Sequence, residues 1–366
     1  MTASETIGAE DRAALAESIR DLLRRRSDST AVRAAITRPG RIDRPLWETL
    51  CTEIGVAALA VDEEFDGAGA TFAETALAVR EVGAALAPVP VFSSAVLAAG
   101  AVLAAGDREA AARLLGPLAS GERIGALCWA GPRGWEQSGV SAEAGLLTGT
   151  AEYVLDGESA DVFLVLAGRA GDPDAPLTLH EVDAATAGVT MTALPLLDPT
   201  RALARVSFDE VPSTTITSPP DIADRVRTLA WALLSAEQTG GAARALELTV
   251  EHTAARKQFG RPIGSFQALK HAMADMFVLV EAMTSISTAA VDAVVAGSDD
   301  AGELAAAAHT YCSEGYMSVT GQAVQLHGGI GITWEHDIGL HFKRAQADAQ
   351  LFGQPHRSLA LVDLDA

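Results

Sequence analysis

The run Arg256-Lys257-Gln258-Phe259-Gly260-Arg261-Pro262-Ile263-Gly264-Ser265-Phe266-Gln267 breaks a long helical pattern. Upstream, Arg225 to Thr253 holds no proline and is rich in alanine and leucine, residues that favour helix. Downstream, Phe266 to Val295 and Ala301 to Gln325 continue in the same manner. The quoted run carries the glycines and proline that end helices. Helices of these lengths with short breaks predict a four-helix bundle over residues 219–366.

Further towards the N-terminus the period changes from helical to two. Short β-like runs occupy Ile124 to Trp129, Glu152 to Leu155, Val162 to Leu166, Thr178 to Val182 and Ala202 to Phe208. Turn residues punctuate them, as in Gly171-Asp172-Pro173-Asp174 and Asp198-Pro199. A compact β-domain is expected over residues 121–218. Residues 1–120 read as helices again. Leu15, Ile19, Leu22 and Leu23 recur at helical spacing, and Arg24, Arg25 and Arg26 suit the negative end of that helix. Thr71 followed by Glu74 is a capping-box pattern. Helices, then strands, then helices give an α+β chain.

The 366 residues carry a formal charge of −21, which repels nucleic acid and anionic membranes. Any anionic ligand therefore needs local cations or helix N-termini. Cys51, Cys128 and Cys312 are far apart and read as buried free thiols of a reducing cytosol. The eight histidines form no HxH or HxxxH pair, so no metal site is expected. Val82 to Gly106 is uncharged and long enough to span a bilayer, but Pro88 and Pro90 would break such a helix. A buried helix–loop–helix is the expectation there. Met1-Thr2-Ala3-Ser4-Glu5 begins no signal peptide, and a cytoplasmic protein is expected.

The opening run, with His271 and Ala274-Asp275-Met276, has a companion in Gln325-Leu326-His327-Gly328-Gly329-Ile330-Gly331-Ile332-Thr333, which continues to Lys343-Arg344-Ala345. Together they resemble the C-terminal signature of the acyl-CoA dehydrogenase family. Ile54-Gly55, Glu63-Glu64-Phe65-Asp66-Gly67-Ala68-Gly69 and Leu197-Asp198-Pro199-Thr200-Arg201 resemble further family segments. The resemblance implies an N-terminal helical domain, a middle β-barrel or sandwich and a C-terminal four-helix bundle. It also implies FAD, an acyl-CoA substrate, α,β-dehydrogenation of the thioester, and an electron-transfer flavoprotein or similar acceptor. Tetramers, homomeric or with a related subunit, are implied too.

In relatives the two signature segments reach across a dimer interface to the ADP half of the neighbour's FAD. That role falls by resemblance on Arg256, Gln258, Phe259, Phe266, Gln267, Gln325, Gly328 and Gly329. The residue chemistry agrees. Arg256 offers a planar multi-donor fork for phosphate oxygens. Gly328 and Gly329 permit close backbone approach, and Gln267 and Gln325 can hydrogen-bond the adenosine or phosphates.

The sequence departs from the family where the chemistry should sit. Many relatives carry the base, which must take a Cα proton, in Tyr-Glu-Gly-Thr; here Leu351-Phe352-Gly353-Gln354 stands in its place. Other relatives place it upstream, at a position held here by Ala230, and the nearest same-face carboxylate is Glu237, two turns on. A structural role is expected for Glu237, and no residue is assigned as the base. The flavin wall, usually Thr-Glu-Pro-Gly-Ala-Gly-Ser-Asp, reads Trp129-Ala130-Gly131-Pro132-Arg133-Gly134-Trp135, and Glu152-Tyr153-Val154-Leu155 replaces a threonine-bearing run. Four readings are weighed at this point: a non-catalytic partner subunit lending ADP-side contacts, a homomeric dehydrogenase with a displaced base, a flavin monooxygenase of the same fold, and a helical scaffold that has lost its cofactor, against which the intact Arg256 and Gln325-to-Gly329 argue.

Overall fold

A computed structural model describes residues 7–172 and 175–362. Met1 to Glu5, and Pro173 and Asp174 of the expected turn, lie outside the described residues. The N-terminal part is built of α1 (Ala9–Arg26), α2 (Ser29–Ala35), α3 (Arg44–Thr49), α4 (Phe72–Ala85), α5 (Ala99–Ala105) and α6 (Arg108–Ala119). Ile19, Leu22 and Leu23 turn one face of α1 into the core, as their spacing predicts. The capping box on α4 is complete: the Thr71 hydroxyl accepts from the Ala73 N–H, and Glu74 accepts from the Thr71 N–H at 2.9 Å. The uncharged stretch is a core element. α4 ends at Ala85, Leu86 takes a left-handed conformation, and a π-helical segment (Val91–Ala98) leads into α5, with residues 86–102 buried without a break.

The middle part is a sheet of β1 (Gly125–Cys128), β2 (Val140–Glu143), β3 (Leu146–Leu155), β4 (Val162–Arg169), β5 (Thr178–Asp183), β6 (Val189–Ala193), β7 (Leu203–Pro212) and β8 (Thr214–Ile216). The order is β6-β7-β3-β2-β4-β5-β8, with β1 parallel to β4. Val162 to Ala167 in β4 are all buried, a continuous apolar run with cover on both faces.

The C-terminal part holds α7 (Ile222–Ala255), α8 (Gln267–Ala296), α9 (Ala301–His327), α10 (Ile338–Asp348) and the short α11 (Pro355–Ser358). α7, α8 and α9 pack on one another, α10 lies across α9 and α7, and α4 covers another side of α7. α7 is therefore buried along most of its middle. The chain reverses between α7 and α8 and again between α8 and α9. The C-terminus of α7, the N-terminus of α8 and the C-terminus of α9 thus share one end of the bundle. The three cysteines are free and buried. α8 is long and apolar, yet only about a third of its most apolar window is buried within the chain.

Candidate functional site

At that shared end the opening run forms a small antiparallel hairpin, Lys257–Gln258 against Arg261–Pro262. Phe259 (φ 51) and Gly260 (φ 78) are its turn. Two successive positive φ angles match a primed turn, which suits the twist of a two-residue hairpin. A phenylalanine there is unusual, and its ring is 91% exposed. Phe266 and Arg261 brace the hairpin from behind, with the Arg261 guanidinium 4.1 Å from the Phe266 ring centre and Phe266 edge-on to Phe259 at 6.1 Å. The Arg256 guanidinium is exposed and forms no ion pair or hydrogen bond with any described residue. Gln258, Gln267 and Gln325 are exposed as well.

The second segment ends α9. Gly328 takes φ 65, ψ −141, a conformation open to glycine, and a Cβ on Gly328 or Gly329 would meet no atom within 4 Å. The space beside these residues is open. The structure brings Arg256, Gln258, Phe259, Gln267, Gln325, Gly328 and Gly329 to one exposed end of the bundle, with Phe266 half-buried behind them.

The other half of the expected site is closed. Phe352, where relatives place a glutamate, is 1% exposed. Its ring packs on Trp135 at 4.9 Å, Phe92 at 5.7 Å and Trp129 at 6.1 Å. Trp129 and Trp135, from the altered flavin wall, pack edge-on at 5.5 Å, and Tyr153 lies 6.2 Å from Trp135. The Trp231 indole N–H donates to the Phe352 carbonyl at 3.0 Å and fixes the segment against α7. Phe352, Trp129 and Phe92 are buried in this cluster, while Trp135 is half-buried and Tyr153 is exposed at its edge.

Glu237 belongs to a buried ionic cluster. Its carboxylate accepts from Arg201 at 2.7 Å and from Arg344 at 2.5 Å. Arg201 also donates to Asp348, and Arg344 to Asp198 at 2.6 Å and to the Thr200 hydroxyl and carbonyl. Burial acts to raise the Glu237 pKa, but Arg201 and Arg344 outweigh it and hold the group below its ordinary value. A carboxylate so held is a poor proton acceptor, which bears out the structural role expected for it. The cavity beside it, between Phe92, Asp156, Arg201 and Arg344, measures about 30 Å³, room for roughly one water.

In the sequence Arg201 and Arg344 fall in family-like segments with no role attached, and Phe92 belongs to no motif. Arg201 and Arg344 sit in separate segments, so no spacing signal links them; Phe92 is an ordinary core residue until the fold sets it beside Phe352.

Residues 9–122 match the acyl-CoA dehydrogenase N-terminal domain, and residues 229–359 the acyl-CoA dehydrogenase C-terminal domain. The chain is 38% identical to acyl-CoA dehydrogenase IpdE2 of Mycolicibacterium smegmatis, over 97% of this chain and 99% of that protein. Among solved structures it is similar to the ChsE4-ChsE5 complex from Mycobacterium tuberculosis, with 27% identity, a TM-score of 0.88, and coverage of 97% of this chain and 96% of that one. The Tcur3481-Tcur3483 steroid ACAD is equally similar, at 27% identity and TM-score 0.88 over 96% of both chains. The chain belongs to the acyl-CoA dehydrogenase family, FAD-binding oxidoreductases that act on the CH–CH group of acyl-CoA thioesters.

Proposed function

We propose that this chain is the supporting half of a hetero-oligomeric acyl-CoA dehydrogenase, with a related chain supplying the base and the flavin wall. The observation that carries this reading is the contrast within one molecule. Phe352 is enclosed by Trp129, Trp135 and Phe92, while the Arg256 guanidinium is exposed and unpaired among the described residues, with Gln258, Gln267 and Gln325 exposed beside it. FAD fits the second place and not the first. Arg256, Gln258, Phe259, Phe266, Gln267, Gln325, Gly328 and Gly329 would hold the ADP half of a flavin seated on the neighbouring chain. Arg256 gives charge-assisted bonds to phosphate oxygens, and the glycines let the backbone come close. Where relatives carry the flavin wall, this chain carries Trp129, Trp135 and Tyr153 in place of the expected hydroxyl and amide donors, which supports this reading.

Bound FAD would accept the thioester's Cβ hydride as the partner's base takes the Cα proton. This chain's contribution is to bind and orient the dinucleotide. Two solved relatives are named as two-component proteins, and one of them as a steroid ACAD; a bulky, steroid-like acyl-CoA is the substrate class we assign to the assembly. An electron-transfer flavoprotein or similar acceptor, in the cytoplasm, is the redox partner we assign to the assembly.

The test is flavin content and native mass, for the chain alone and co-purified with a related subunit. The chain alone is expected to carry little FAD, and the mixed oligomer to carry FAD and activity. Arg256→Ala in the mixed oligomer should weaken FAD retention about 10- to 100-fold, the loss of one charged hydrogen-bonding group. Stoichiometric FAD and turnover on a homomer of this chain would overturn the reading.

A further inference from the structure

Three histidines meet just behind the exposed hairpin. His252 lies in the last turn of α7, His327 is the last residue of α9, and His336 sits on the connection to α10. The His252 and His327 rings stack at 4.5 Å, and His336 stands 4.5 Å from His327. One ring nitrogen from each lies within 4.8 Å of the others. His327 is 5% exposed, and its Nδ1 lies 2.7 Å from the Ala323 carbonyl, to which it can only donate. The proton is therefore on Nδ1 and the lone pair on Nε2. That Nε2 is buried and makes no hydrogen bond of ordinary geometry among the described residues, although the Leu248 carbonyl of α7 also lies close to the ring. A backbone carbonyl on Nδ1–H and a free Nε2 is the arrangement a metal-bound histidine adopts.

We propose that His252, His327 and His336 form a binding site for a late first-row divalent cation, with zinc as the ion of best fit. The donors are imidazole nitrogens with no carboxylate among them, which suits zinc and disfavours magnesium and calcium. Burial lowers the proton affinity of all three rings, which favours the neutral, ligating form. Zn–N bonds of about 2.0–2.1 Å place tetrahedral nitrogens roughly 3.3 Å apart, so the rings must close by about 1.5 Å. His336 is the ring able to move. Its Nδ1 accepts from the Ile338 N–H at 3.1 Å, a bond it gives up on ligation, and its connection carries the exposed Ile332 and Trp334. Of the two nearby cations, Arg33 beside His336 is paired with Asp337 at 2.7 Å, and Arg256 beside His252 is exposed to solvent, which screens it. Solvent would fill the fourth position.

A cation here clamps the end of α7 to the end of α9, directly beneath the hairpin and the Gly328 turn. The site does not depend on what those two segments bind. No short spacing announces it, because the three histidines come from separate elements.

The test uses the full-length, untagged chain stripped with a chelator, then titrated with zinc chloride by calorimetry, with cobalt(II) absorption reporting tetrahedral nitrogen ligation. About one zinc equivalent is expected, with a raised melting temperature. His252→Gln and His336→Gln, both at half-exposed positions that tolerate change, should each weaken binding at least about 10-fold. Absence of stoichiometric binding overturns the proposal. So does equal affinity in both variants, which would place the ion on other histidines such as His271 or His356.

Discussion

Two buried guanidiniums, Arg201 and Arg344, serve three carboxylates, Glu237, Asp348 and Asp198, and a fourth acid, Asp156, faces the same small cavity. Two cations cannot neutralise that many carboxylates in a dry interior. Burial pushes Asp156 up from 3.8 to about 6, against the opposing pull of the Ser93 hydroxyl bonded to it at 2.6 Å and of Arg201 and Arg344. A raised folded value means the fold prefers the neutral carboxyl. Asp156 therefore costs stability above pH 6, and the cost fades as pH falls towards the unfolded value near 4. Asp156→Asn should stabilise the chain by about 1–2 kcal/mol near pH 7.5, and by next to nothing near pH 4, read from urea midpoints at both pH values. Asparagine tolerates the positive φ of 53 at this site. Equal shifts at both pH values would mean that Asp156 is ionised at no cost. The sequence put Glu237 on its helix and gave it a structural part. Its partners were illegible, since Arg201 and Arg344 lie in other segments and only the fold joins them.

Between elements, α4 and α7 approach closely through a glycine on each. A Cβ on Gly240 would sit 2.0 Å from the Arg80 carbonyl oxygen, and one on Gly83 would sit 2.6 Å from the Glu237 carbonyl oxygen. Each glycine thus receives the backbone of the other helix, and neither neighbour is a flexible side-chain tip that could swing away. Gly240→Ala should cost about 1–3 kcal/mol or more despite alanine's better helix propensity; chemical denaturation measures it, and a neutral or stabilised variant would mean the helices part freely. Sequence periodicity located α7, α8 and α9 well because their apolar faces are long and proline-free. It fared worse in the sheet. β1, β4, β5, β7 and the last four residues of β3 were legible as β-like runs, whereas the start of β3 and all of β2, β6 and β8 were not. β6 reads Val-Thr-Met-Thr-Ala with no residue fully buried, and β8 is three residues long, so neither carries a core-facing alternation.

At the scale of the whole molecule, an acidic protein of charge −21 keeps Arg256, Lys257 and Arg261 exposed at one end. That local field suits a phosphate-bearing ligand. The signature that marks this end was legible residue by residue, because its side chains are used where they stand. The closed end was legible only as missing family residues. What replaces them, rings from four segments packed together, had to come from the fold. On the proposed function, this chain differs from a subunit that merely lacks a base in that its own flavin side is filled. Phe352→Glu restores a carboxylate at the family position. In a filled site it buries that carboxylate among Phe92, Trp129 and Trp135 and forfeits the Phe352 packing, so the chain should lose about 3 kcal/mol or more of stability. It should also show no acyl-CoA-dependent flavin reduction when assayed alone with added FAD. If the variant instead held FAD and turned over, the aromatic cluster would be a lid that opens for a flavin, and the chain would be a dehydrogenase lacking only its base.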